Sequence, residues 1–134
     1  MRPEDAHLVK HRLRRASETL SEARALFDLG YTFGVVNRAY YACFYAVIAL
    51  LRTEGLSSSK HSGVQSLFSE HWIKPGRLPP ELGRFYNRLS ERRQVGDYTD
   101  RAPFDRAAAE RWLGEAESFI DEITEWLRQN AGVE

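Results

Sequence analysis

Apolar and polar positions follow a helical period along nearly the whole chain, and one stretch departs from it by being apolar on every side. From Ala39 to Leu51 no residue carries a charge, and the apolar run reaches upstream through Val36 and Val35 to Tyr31. A helix without a polar face must be covered all round, so it is expected at the centre of a bundle with the other segments as its coat. Thirteen uncharged residues fall short of the about 20 that cross a bilayer, and a run of this length fits a core helix better than a membrane span.

The flanking segments are amphipathic. Pro3, Glu4 and Asp5 suit a first helical turn, and Val9, Leu13, Ala16, Leu20, Ala23 and Phe27 then follow at steps of four and three until Leu29 and Gly30 end the helix. The turn is short, so the central helix should lie antiparallel to the first and end near Glu54 and Gly55. Ser57, Ser58 and Ser59 offer N-caps to a short third helix with Val64, Leu67, Phe68 and Trp72 inside. After the breakers from Lys74 to Pro79, a fourth helix starts at Pro80, buries Leu82, Phe85, Tyr86 and Leu89, and runs out at Val95 and Gly96. The segment from Asp97 to Pro103 reads as a polar loop. Phe104 and Asp105 read as a staple and an N-cap for the last helix, whose seam is Ala109, Trp112, Ala116, Phe119, Ile123 and Trp126, widened by Leu113, Ile120 and Leu127. With no segment of period two, the expected fold is all-α, an up-and-down bundle of four long helices plus one short helix, in a single domain over residues 1–134.

Charge changes this picture only locally. Nineteen basic and nineteen acidic residues cancel, so no global field draws the chain to nucleic acid or membrane. A lone cysteine, Cys43, rules out an internal disulfide and fits a reducing cytoplasm, and the N-terminus has no apolar leader. His7 and His11 share a helix face but lack further ligands, and the only Glu-x-x-His pair is Glu4 with His7, so neither a metal nor a cofactor is expected. Phosphate-loop, His-Glu-x-x-His and Cys-x-x-Cys patterns are also missing.

Three constellations remain. Arg84, Arg88 and Arg92 recur every four residues on one face of the fourth helix, with Arg93 beside them. Such a stripe either tracks a phosphate backbone or is a solvated face partly neutralised by Glu81 and Glu91. Arg38 stands at the edge of the central run and needs an acidic partner, for which Asp97 is the candidate. Tyr40, Tyr41 and Tyr45 point in different directions from the central helix, as core filler or as ligand-facing phenols.

The segments Asn37-Arg38-Ala39-Tyr40-Tyr41-Ala42, Lys60-His61-Ser62-Gly63-Val64 and Arg93-Gln94-Val95-Gly96-Asp97-Tyr98 resemble, in order and spacing, the prokaryotic HEPN domain family. The resemblance covers nearly the whole chain. It implies a helical bundle that forms homodimers, is often encoded beside a minimal nucleotidyltransferase, and in many members cleaves RNA without a metal, using an arginine and a histidine a few residues later. Arg93 matches the arginine, while Tyr98 stands where the histidine would be. An unperturbed phenol with a pKa near 10 is a poor base at neutral pH. His61, if folding brings it to Arg93 and Tyr98, would supply the imidazole; otherwise it packs or caps locally. The expected protein is a cytoplasmic homodimer, the partner of a nucleotidyltransferase in a two-component, toxin-antitoxin-like module with RNA or nucleotide binding. The alternatives are a metal-independent ribonuclease using Arg93, Tyr98 and His61, and a small-ligand-binding bundle using the same arginines.

Overall fold

The computed structural model describes the backbone of residues 1–98 and 105–133, and side chains of 1–94 and 105–133. Among the described residues five α-helices follow one another: α1 (Pro3–Asp28), α2 (Thr32–Arg52), α3 (His61–Phe68), α4 (Pro80–Tyr98) and α5 (Arg106–Ala131). A single π turn, Ser69–Ile73, continues α3, with Lys74 N–H donating to the Ser69 carbonyl at 2.8 Å. Among the described residues there is no strand, and the fold is all-α as expected.

Side-chain pairs give the helix directions. Asp5 meets Arg52, Arg12 meets Ile48, Arg15 meets Tyr45 and Glu22 meets Arg38, so α2 descends as α1 ascends. Gly30, at φ 86°, takes the left-handed conformation that turns one helix into the other. Arg88 meets Glu115 and Phe85 meets Phe119, which makes α4 and α5 antiparallel in turn. The bundle is thus up-and-down through its four long helices, with α3 lying against α2 and α4.

Helix α2 is the hub. It packs on α1, α3, α4 and α5, and eleven of its residues, from Val35 to Leu51, are buried. The helix is long and apolar enough to cross a membrane by length and composition alone, yet most of that window is buried inside the bundle. Its coat is nevertheless incomplete: Tyr41, Phe44, Tyr45 and Ile48 are only half-buried, and they form one stripe along the helix. In α5 the fully buried line runs through Leu113, Phe119, Ile120, Ile123 and Leu127, while Trp112 and Trp126 are half-buried at its margins.

Two boundaries differ from the expectation. No serine caps α3: its N-cap is Lys60, which makes no side-chain cap bond, and the Ser58 hydroxyl instead accepts from Lys60 N–H at 3.2 Å. Helix α4 does not run out at Val95 and Gly96 but continues through Asp97 to Tyr98, so this pair belongs to its last turn rather than to a polar loop. At α5 the expected cap is present, with Asp105 Oδ1 accepting from Ala108 N–H at 2.7 Å. Phe104, the expected staple, lies outside the described residues.

The link between the π turn and α4 is held by Arg77. Its guanidinium sits 4.6 Å above the Trp72 ring and 5.0 Å from Trp126, pairs with Glu54 and donates to the His71 carbonyl at 3.1 Å.

Candidate functional site

The polar residues of α2, α3 and α4 converge on Tyr40. This residue falls on the buried row of α2, so its ring is enclosed while its hydroxyl must find a partner. That partner is His61, the first residue of α3, whose Nδ1 lies 2.9 Å from the Tyr40 hydroxyl. The imidazole is wedged among aromatics: it stacks on Phe44 at 4.6 Å and meets the edge of Tyr41 at 5.7 Å. From α4, the half-buried Arg93 places its guanidinium carbon 4.8 Å above the Tyr40 ring and 5.9 Å from that of Tyr41. Tyr86 stacks on Tyr40 at 5.9 Å, and Ser90 is buried beside them.

The electrostatics follow from this enclosure. Burial, and then the neighbouring Arg93 cation, lower the pKa of His61, so the imidazole leans toward its neutral form. The first turn of a helix disfavours the imidazolium in the same sense. Burial raises the Tyr40 phenol, against the opposing pull of Tyr86, Arg93 and Ser90, and raises Tyr86 further still. Both phenols therefore remain protonated at neutral pH. A neutral imidazole fixed at Nδ1 by a phenol has Nε2 left for chemistry: when Nδ1–H donates to the Tyr40 oxygen, Nε2 carries a lone pair.

Of the residues singled out in the sequence, Arg93 and His61 come together on Tyr40. Tyr98 and Asp97 complete α4, but their side chains lie outside the described residues, and with them the Arg38–Asp97 pair. Arg38 is bonded to Asn37 Oδ1 at 3.0 Å, has Glu22 at 3.5 Å and lies over the Tyr41 ring at 5.1 Å. Arg84 and Arg88 are exposed and held by Glu81 at 3.1 Å and Glu115 at 3.3 Å, and Arg92 is exposed on the same helix. Glu115 belongs to α5, where no spacing along α4 reveals it. Phe44, Tyr86 and Ser90 complete the cluster beyond those candidates, around Tyr40, whose place on the buried row with a hydroxyl to satisfy is the signal that points to them.

Among the described residues no group of three His, Cys, Asp or Glu could hold a metal ion, and His7 and His11 are exposed. A cleft of about 660 Å³ lies beyond the C-terminal end of α2, lined by Thr53, Glu54, Arg77 and Trp126 among others, away from Arg93.

Comparison with known proteins bears on the whole bundle. A UPF0332 protein of Thermotoga maritima is 42% identical over 120 residues, covering 90% of this chain and 91% of its own. Two proteins of Methanocaldococcus jannaschii, each named "Putative toxin", are 36% identical over 114 residues and 30% over 115, covering 84% and 78% of their own lengths. The HEPN domain family matches residues 9–126, which takes in all three segments that carry the likeness and runs from within α1 to within α5. The chain belongs to the HEPN domain family.

Proposed function

We propose that this chain is the toxin-side component of a two-component module: a cytoplasmic, single-domain HEPN homodimer that binds RNA, with a nucleotidyltransferase as its partner. The observation that carries the reading is the meeting of Arg93 and His61 on Tyr40. A guanidinium beside a neutral imidazole joins a phosphate-binding cation to a group able to accept or donate a proton near neutral pH. The toxin names of the two Methanocaldococcus relatives support the toxin side. A closed two-fold pair is the commonest assembly of identical chains, and a pair joined with the C-terminal turns of α4 facing would place two such clusters in one cleft.

The same observation favours a second reading, metal-independent RNA cleavage. Where Tyr98 replaces the motif histidine, His61 provides an imidazole within the same cluster as Arg93. Purified protein incubated with single-stranded RNA in EDTA separates the two. The first reading expects RNA binding that Arg93→Ala weakens, with little cleavage by the chain alone. EDTA-resistant cleavage that both Arg93→Ala and His61→Ala abolish would establish the enzyme. A wild-type protein that binds no RNA would remove both.

A further inference from the structure

The half-buried stripe of α2 leads away from the Arg93–His61 cluster toward a second group of cations. Tyr41, at one end, touches both Arg93 and Arg38; Tyr45 and Ile48 follow one and two turns on. There α1 supplies Arg15, whose guanidinium lies 5.1 Å over the Tyr45 ring and 3.5 Å from its hydroxyl, and Arg12, which donates to the Ile48 carbonyl at 3.4 Å. Acids are present on the same rim: Glu18 sits 3.6 Å from Arg15, Glu22 pairs with Arg38, and Asp5 takes Arg52. Arg12 differs from its neighbours. Among the described residues it pairs with no carboxylate, and it is half-buried with the Arg52 cation acting on it.

We propose that this α1/α2 face is a track for single-stranded RNA, with Tyr41 and Tyr45 as the base-stacking surface and Arg12 and Arg15 as phosphate contacts. The inference rests on the RNA-binding reading above and adds where the strand runs. Aromatic faces edged by arginines are the sequence-tolerant means of holding unpaired nucleotides, since every base has a face to stack and every linkage a phosphate to neutralise. From Tyr41 to Ile48 the rise of α2 is about 10 Å, room for a short run of nucleotides leading into the Arg93 cluster. A guanidinium that is half desolvated without an acid gains most from an anion.

The test uses the full chain and a fluorescein-labelled single-stranded oligouridylate, followed by anisotropy across a salt series, with sedimentation reporting the oligomeric state. Arg12→Gln and Arg15→Gln should each reduce the slope of log affinity against log salt by about 0.7, one phosphate contact apiece. Tyr45→Leu should weaken binding about tenfold and Tyr45→Phe should restore it, because the face and not the hydroxyl stacks. Arg128→Gln, which removes the same charge from the Glu125 pair on α5, should leave the slope unchanged. If the wild type binds the oligonucleotide and the Arg12, Arg15 and Tyr45 variants bind it equally well, the track is wrong while the RNA reading stands. If those variants instead dissociate a dimer with affinity per chain intact, the face is a contact between copies and the track is again overturned. A wild type that binds no oligonucleotide ends both.

Discussion

Tyr40 satisfies three demands with one side chain: its ring fills the core, its face receives Arg93 and its hydroxyl holds His61. The arrangement makes His61 a contributor to pH dependence with a definite sign. Because its pKa is lowered on folding, by burial and by Arg93, the unfolded chain binds more protons than the folded one as the pH falls through the ordinary histidine value of about 6.5. Stability is therefore complete above that value and declines as the pH drops toward the lowered one. Urea unfolding at about pH 7.5 and about pH 5 should show a loss for the wild type that His61→Gln reduces, since glutamine does not titrate in that window. An identical loss in the variant would show that His61 carries none of it. The cluster was only partly legible beforehand. Arg93 and His61 were identifiable as chemistry, but their meeting point is a tyrosine that period alone assigns equally to core filling or to a ligand, because periodicity places a ring without naming what its hydroxyl meets.

At the scale of elements, periodicity located the helices well, since burying an apolar seam is what forms each of them, and it failed where termini are decided by particular contacts. Helix α4 runs on to Tyr98 through a glycine that reads as a stop, and α3 begins without the serine cap its sequence offers. At Gly63 a built Cβ would lie 2.0 Å from the Ser58 Oγ and 2.8 Å from its Cβ, so the closeness of the incoming segment to α3 depends on the missing side chain. Gly114, exposed within α5, would meet nothing within 4 Å. The same substitution should therefore have opposite effects. Gly114→Ala should stabilise by roughly 0.5–1 kcal/mol through helix propensity, whereas Gly63→Ala should destabilise despite the same propensity gain, as read from urea midpoints. Equal shifts in one direction would mean that Ser58 yields without cost. The arginine stripe teaches a related lesson: a four-residue spacing defines a face of α4, but Glu115, which holds Arg88, arrives from another helix.

Across the whole molecule, everything depends on the enclosure of α2. Cys43 reports on it, being fully buried with its sulfur 4.0 Å from the Ala116 carbonyl of α5, and burial raises its thiol well above the ordinary range. A protonated, enclosed thiol is inert, so a disulfide reagent should leave Cys43 unmodified in native buffer while labelling the urea-unfolded chain at once. Rapid labelling of the native protein would mean that the α2–α5 seam opens independently of the rest. That seam also has a history in time. Cys43 and Ala116 are 73 positions apart, so during synthesis the most apolar helix emerges well before the helix that covers its last face. At about 5–20 residues per second the interval is roughly 4–15 s, during which α1, and then α3 and α4 as they emerge, shelter α2. The nascent α1/α2 hairpin is thus the form in which this chain is most exposed to aggregation and to chaperone capture, and its antiparallel pairing, between the first two helices to be made, is its earliest protection.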